Sequence, residues 1–245
     1  MSREAFLNRV RVALRSGRPP TDAPHTPLPG GDGDALPTTS PPSTADLIQQ
    51  FAAAFQAVGG HLHRASSSAE VAAQVVDMAR GRDTHSIVVT RHPAVIAIPP
   101  ALPASGAQVT VVGFASGETP TRAQRDAQRA VMAQADMVVS GADYAIADTG
   151  TLVMVAGGHN PRAATLLPPF HVAVLDPISL LPGMADFVSH FKADHLHRGH
   201  LDVSGVTFIS GPSRTADIER VLTIGVHGPE RLVIVAVDGF EQGAA

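Results

Sequence analysis

Six short stretches, "SIVVT", "QVTVVGF", "TLVMVA", "HVAVLD", "VTFIS" and "RLVIVAV", are apolar through almost their whole length. A strand with one wet face alternates apolar and polar residues, whereas a uniformly apolar strand is covered on both faces. Helix-like segments fall among these stretches: "ADLIQQFAAAFQAV", "AEVAAQVVDMAR", a segment over 120–134, shorter pieces over 178–194 and one over 214–222. Strands alternating with helices predict the α/β class, a single layered domain built on a mixed, largely parallel sheet. "HLHRA" reads as one more short strand, and "YAIADTGTLVMVA" as a hairpin that makes the sheet mixed.

The expected boundaries follow from composition. Phe6, Val10 and Leu14 share one helical face, so residues 1–16 form an amphipathic helix, an interaction arm or a docking flap. Residues 17–43, rich in proline and glycine, read as a flexible linker. The α/β domain spans 44–240, opening with Thr44 as a helix N-cap and Gly59-Gly60 as that helix's stop, and 241–245 is a tail.

Composition also narrows the chemistry. A formal net charge of −4 without a basic block excludes phosphate-neutralising nucleic-acid binding. No apolar run approaches the roughly 18 residues of a membrane span, and the N-terminus lacks a signal-peptide core, so a cytoplasmic location is expected. Cysteine is absent, which removes disulfides, thiol nucleophiles and thiolate ligands for an iron–sulfur cluster. Lys192 is the single candidate for Schiff-base chemistry. Phosphate loops of the GXXXXGK[ST] type, GXSXG elbows and GXGXXG turns are missing.

The candidate residues lie in loops that follow strands. After "VTFIS", the string Ser210, Gly211, Pro212, Ser213, Arg214, Thr215 and Asp217 is expected to open a helix, whose free N–H groups and Arg214 would bind an anion. Capping alone would also explain Ser213 and Thr215. His227 and Gly228 lie between two turns, with His227 as anion donor, acid–base group or plain loop histidine. Asp148, Thr149, Gly150 and Thr151 form a turn that offers a carboxylate and two hydroxyls. Arg162 follows a glycine-rich loop as a possible carboxylate or phosphate clamp. The catalytic identity stays open, with Glu118, Asp148 and His227 as candidates. His190, His195, His197 and His200 with Asp194 suffice in number for a metal, but the HEXXH spacing is missing and no metal site is expected.

In "ADYAIADTGTLVM", "RAATLLPPFHVAVLD" and "SGPSRTADIERVLTIGVHGPERL" the chain resembles the lactate-utilisation protein C family, whose fold is the LUD domain. The resemblance runs from about residue 44 to 239 and extends to the N-terminal helix. It implies the fold shared by glucosamine-6-phosphate isomerase, ribose-5-phosphate isomerase and CoA transferases. It further implies an accessory subunit of bacterial L-lactate oxidation, binding a small carboxylate or phosphate ligand beside two iron–sulfur subunits, the A- and B-type partners. No cofactor is expected in this chain itself. The alternatives are a stand-alone sugar-phosphate isomerase or CoA-transferase-like enzyme, and a non-catalytic regulatory scaffold.

Overall fold

Helix α1 (Thr44–Ala57) starts one residue earlier than the composition suggests, because Ser43 is its cap. The Ser43 hydroxyl accepts from the Asp46 N–H at 3.2 Å while the Asp46 carboxylate accepts from the Ser43 N–H at 3.1 Å. That reciprocal pair fixes the cap. Leu47, Ile48, Phe51 and Phe55 form the buried stripe of the helix. The computed structural model describes Glu4 and residues 42–115, 117–197, 200–201, 203–216 and 222–237. The chain divides into Met1–Pro41 and Pro42–Ala245. The expected N-terminal helix, most of the linker and the 241–245 tail lie outside the described residues.

After α1 come β1 (His61–Ala65), α2 (Ser68–Arg80), β2 (Ser86–Thr90), a 3-10 turn over Pro99–Ser105, and β3 (Gln108–Val112). Then follow α3 (Arg122–Ala133), β4 (Met137–Gly141), β5 (Tyr144–Ile146), β6 (Thr151–Ala156), β7 (Phe170–Leu175) and β8 (Leu180–Leu181). The chain continues with α4 (Met184–His195), β9 (Leu196–His197), β10 (His200–Leu201) and β11 (Gly205–Ile209). It closes with β12 (Arg214–Ala216), β13 (Leu222–Ile224) and β14 (Arg231–Val237).

The α/β class and the largely parallel sheet stand as expected. Six strands in the order β1-β14-β7-β4-β2-β3 form the main sheet, and every pairing in it is parallel. Its two faces follow the pleat. Ile87, Val89, Met137, Val139, Val172, Val174 and Val235 pack with Val71 and Val75 of α2. The alternate residues Ala173, Leu175, Leu232 and Ile234 pack with Phe51 and Phe55 of α1, and Val88, Val112 and Val138 with Met132 of α3. Each such aliphatic side chain, fully buried, stabilises by about 1.5–3 kcal/mol. β4 is all buried yet was not legible, since "MVVSG" runs straight on from a helix and into a hairpin.

A second sheet, β11-β6-β5-β8, pairs β6 antiparallel with both β11 and β5, while β5 runs parallel to β8. The β5–β6 hairpin turns at Asp148–Gly150 as its residues predict, but it pairs here and not in the main sheet. The helix expected over 214–222 is absent from its described part. β12 and β13 form an antiparallel pair, with Thr215 opposite Thr223. Ser213 closes the base of this pair: its N–H donates to Pro229 O at 2.9 Å and its carbonyl accepts from Gly225 N–H at 3.1 Å. Cross-strand bonds of this kind override a weak helical preference. Asp217 lies outside the described residues.

Candidate functional site

In an open parallel sheet, ligands bind beyond the carboxyl ends of strands, where neighbouring strands connect in opposite directions. Here β2 connects outward to the edge strand β3, and β4 connects the other way toward β7. The switch therefore lies between β2 and β4. Two residues past β2 is His92, and two residues past β4 is Asp143. Gly141 ends β4 beneath the His92 ring, so that any side chain at 141 would occupy the place of the imidazole. A third group arrives from the second sheet. The loop after β6 is tacked across the strand ends by Arg91 N–H to His159 O at 2.9 Å and Phe114 N–H to Gly158 O at 2.7 Å. At Gly113, with φ 104°, an added Cβ would lie 2.6 Å from Gly158 O, so glycine is what permits this closeness.

Asp143 is the hub. Its Oδ1 lies 3.2 Å from His159 Nε2 and 3.5 Å from His92 Nε2. Its Oδ2 accepts from Val155 N–H at 2.7 Å and from Asn160 Nδ2 at 3.3 Å. Asn160 also donates to Gly141 O at 3.2 Å, which ties the hub to the end of β4. Burial alone would raise the Asp143 pKa. The hydrogen bonds from His159 and His92, the charge of His92 and the Val155 N–H together outweigh it and hold the carboxyl well below the usual range.

The bonding pattern also assigns the tautomers. Ala94 N–H donates to His92 Nδ1 at 3.2 Å, so the proton of the neutral ring sits on Nε2, facing Asp143. His159 likewise points Nε2 at a carboxylate that can only accept, which leaves its Nδ1 with a lone pair. The His92 and Asp143 side chains are 13% and 14% exposed and that of His159 is 41% exposed, making His159 the member that a ligand reaches. This is a base oriented by a carboxylate, the arrangement general acid–base work requires. The three residues each offer one ligand atom, all within 4.8 Å, and so could hold a divalent ion. Against that use, a ligating histidine normally donates its other N–H. In His92 that nitrogen accepts.

Three cavities share walls around this cluster. One of about 510 Å³ is lined by Arg91, His92, Asp143 and His159. One of about 340 Å³ takes in His159, Glu118 and His195. A third, about 490 Å³, is lined by Glu118, Arg162, Arg125 and Arg129. Buried Thr90 Oγ1 and Asn160 Oδ1 have no partner among the described residues. Deeper in the sheet, His171 Nε2 meets Ser140 Oγ at 2.6 Å. Complete burial pushes the His171 pKa down to about 4.

Of the residues expected to form the site, Glu118 and Arg162 border this crevice. Glu118 also secures its own loop, its Oε2 accepting from Ala115 N–H at 2.9 Å. The others lie elsewhere. Asp148 faces the start of α4, where a Cβ on Gly183 would be 3.2 Å from its Oδ2, and Thr149 is exposed beside it. Gly150, at φ 60°, packs against the backbone of Phe55, and Thr151 Oγ1 meets Ser210 Oγ at 2.7 Å. Gly211 abuts Val58 at the end of α1. Pro212 and Arg214 line a cavity of about 570 Å³ with His61, His63, Arg82 and Arg231. That cavity opens at the amino ends of β1, β7 and β14, opposite the crevice. The expected anion corner at a strand's carboxyl end and a helix N-terminus is thereby corrected: β11 belongs to the antiparallel sheet, and a strand follows it. His227, exposed, donates its N–H to Ser213 Oγ at 3.3 Å, and Gly228 packs on Ser213. In the histidine-rich segment, His190 Nδ1 bonds the Asp186 carbonyl at 2.9 Å and His195 stacks near Phe191. The side chains of His197 and His200 lie outside the described residues.

Reading the sequence missed His92, Asp143, His159 and Asn160. His92 was discoverable, because "SIVVT" is followed at once by Arg91 and His92. Asp143 was not, because β4 itself went unread.

Residues 48–237 match the family model described as LUD domain. Among curated proteins, a lactate utilization protein C of Halalkalibacterium halodurans is 39% identical over 107 residues, 43% of this chain and 45% of that protein. Another of Bacillus pumilus is 33% identical over 126 residues, 51% of this chain and 52% of that protein. The chain spans about half the length of the curated relatives it matches. A crystal structure of a DUF162 family protein from Deinococcus radiodurans shares the fold at TM-score 0.55 and 22% identity, covering 81% of this chain and 100% of that one.

Proposed function

The chain belongs to the LUD domain family, and from that premise we propose that it is the small-ligand component of a bacterial L-lactate oxidation system. The reading draws on the relatives named lactate utilization protein C. In it, iron–sulfur partner subunits carry the electrons, since this chain contains no cysteine to ligate a cluster.

One observation carries the chemical part: a carboxylate-oriented histidine with a free Nδ1 stands in a crevice at the switch point of the sheet. A 2-hydroxy acid in the crevice would place its hydroxyl at His159 Nδ1. Its carboxylate would lie toward Arg91, whose Nε is held by Gly113 O at 3.2 Å. His159 accepts the hydroxyl proton, and Asp143 stabilises the resulting imidazolium; the Cα–H bond and its two electrons are taken by an oxidant on the partner subunits. In the reverse sense the same pair returns the proton. His92, pinned by Ala94, holds Asp143 in place.

The test is lactate-dependent dye reduction in extracts of a strain lacking this chain. Loss of the activity, with recovery on adding back the wild-type chain, is the expected result. Unchanged activity in the deletion strain would refute a role in lactate oxidation.

A further inference from the structure

One arm of the crevice is lined in a way that the handling of a small hydroxy acid does not use. Arg125 and Arg129 stand at i and i+4 on α3, and Arg162 faces the same cavity of about 490 Å³ from the loop after β6. Two like charges at this spacing cost a helix a few tenths of a kcal/mol. The acid on α3 does not relieve them: Asp126 pairs with Arg122 at 3.6 Å. Gln128, between the two arginines, is fully committed, accepting from Gly113 N–H at 2.7 Å and donating to Gly113 O at 3.1 Å. Arg125 spends one N–H on Pro120 O at 2.5 Å. The guanidinium groups of Arg129 and Arg162 have no hydrogen-bond or ion-pair partner among the described residues, the one bond to Arg162 being at its carbonyl, from Thr165 Oγ1 at 3.2 Å.

Among the described residues the arm has one carboxylate, Glu118. Three guanidinium groups against that single acid leave an excess close to the charge of one phosphate group, about −1.5 to −2 at neutral pH. Guanidinium forks match phosphate oxygens in geometry as well as charge. Besides Gln128 and Ser204, whose hydroxyl donates to Ala156 O at 2.9 Å, the rest of the wall is apolar or plain backbone, Phe114, Met132, Gly157 and Gly158 among it. Its volume is that of a small-molecule site. Through Glu118, Gly157 and Gly158 the wall is shared with the cavity that His159 lines.

We propose that this arm binds the phosphate or diphosphate group of a small soluble ligand whose remainder extends toward His159. The proposal rests on the crevice being the ligand site, and it needs no lactate. A comparable set of arginines, Arg82, Arg214 and Arg231, lines the cavity at the opposite end of the sheet. There, however, Arg82 is stacked on Phe170, 4.8 Å from the ring centre, and the lining also includes Glu230.

The experiment is calorimetric titration of the purified full chain with inorganic diphosphate, at low and at physiological salt. Wild type is expected to bind, more weakly as salt rises. Arg129→Gln and Arg162→Gln should each lose about tenfold or more in affinity, the loss of a charge-assisted hydrogen bond. Arg214→Gln should bind as wild type does. All three residues are exposed, and matching thermal melts establish that the variants are folded. No binding by wild type overturns the proposal, as does binding that survives both crevice variants or disappears with Arg214→Gln. None of these results bears on lactate-dependent activity, so the broader reading stands or falls separately.

Discussion

The half-exposed His159 and the buried His171 differ by what surrounds the ring. His159 reaches its cavity because Asp143 fixes one nitrogen and leaves the other free. His171 has only the Ser140 hydroxyl, and desolvation moves its pKa from 6.5 to about 4. Between those values the unfolded chain takes up a proton that the folded chain refuses. This contribution to stability is therefore complete above about 6.5 and is lost as pH falls toward 4. At 1.36 kcal/mol per unit it amounts to about 3 kcal/mol. Urea unfolding at pH 7 and pH 4.5 should show a smaller fall for His171→Gln than for wild type by roughly that amount. Equal falls would show that another group sets the acid sensitivity. Asp143 acts in the same direction but further down the pH scale, since its folded pKa is depressed and its contribution fades only in stronger acid.

At the scale of elements, the turn "ADTGT" illustrates how a legible motif can carry a packing role that its residues do not announce. Its hairpin was legible from Gly150, whose φ of 60° favours a residue without Cβ. What the sequence could not show is that the Phe55 backbone lies against that glycine, making the turn a packing joint between β5–β6 and α1. Gly150→Ala should therefore lower stability by more than about 1 kcal/mol, beyond the cost of the dihedral alone. A lower midpoint in thermal unfolding, with lactate-dependent activity kept below the new midpoint, is expected. An unchanged midpoint would contradict the joint. The strand-end loops misled for a similar reason. "VTFIS" has the composition of a central parallel strand, yet β11 pairs antiparallel with β6, and nothing local distinguishes the two.

For the whole molecule, the alternation of apolar and helical segments sufficed for the α/β class and the parallel sheet. Strand order did not follow from it, and strand order creates the site. His92, Asp143 and His159 are 51 and 16 residues apart in succession. They meet because β2 and β4 are neighbours and the second sheet returns its loop over their ends. Glu118 and Arg162 were found from loop composition alone, and both border the crevice. The long C-terminal string around Arg214 assembles at the other end of the sheet. The molecule thus presents two polar ends, one at the carboxyl ends of the parallel strands and one at their amino ends.

The most direct test restores the deletion strain with His159→Gln or with Arg214→Gln and measures lactate-dependent dye reduction. Both chains should be matched to wild type in level and melting temperature. Under the proposed function, Arg214→Gln keeps its activity and His159→Gln loses about 100-fold or more, the scale of general acid–base catalysis. Full activity from His159→Gln, or loss confined to Arg214→Gln, would contradict it.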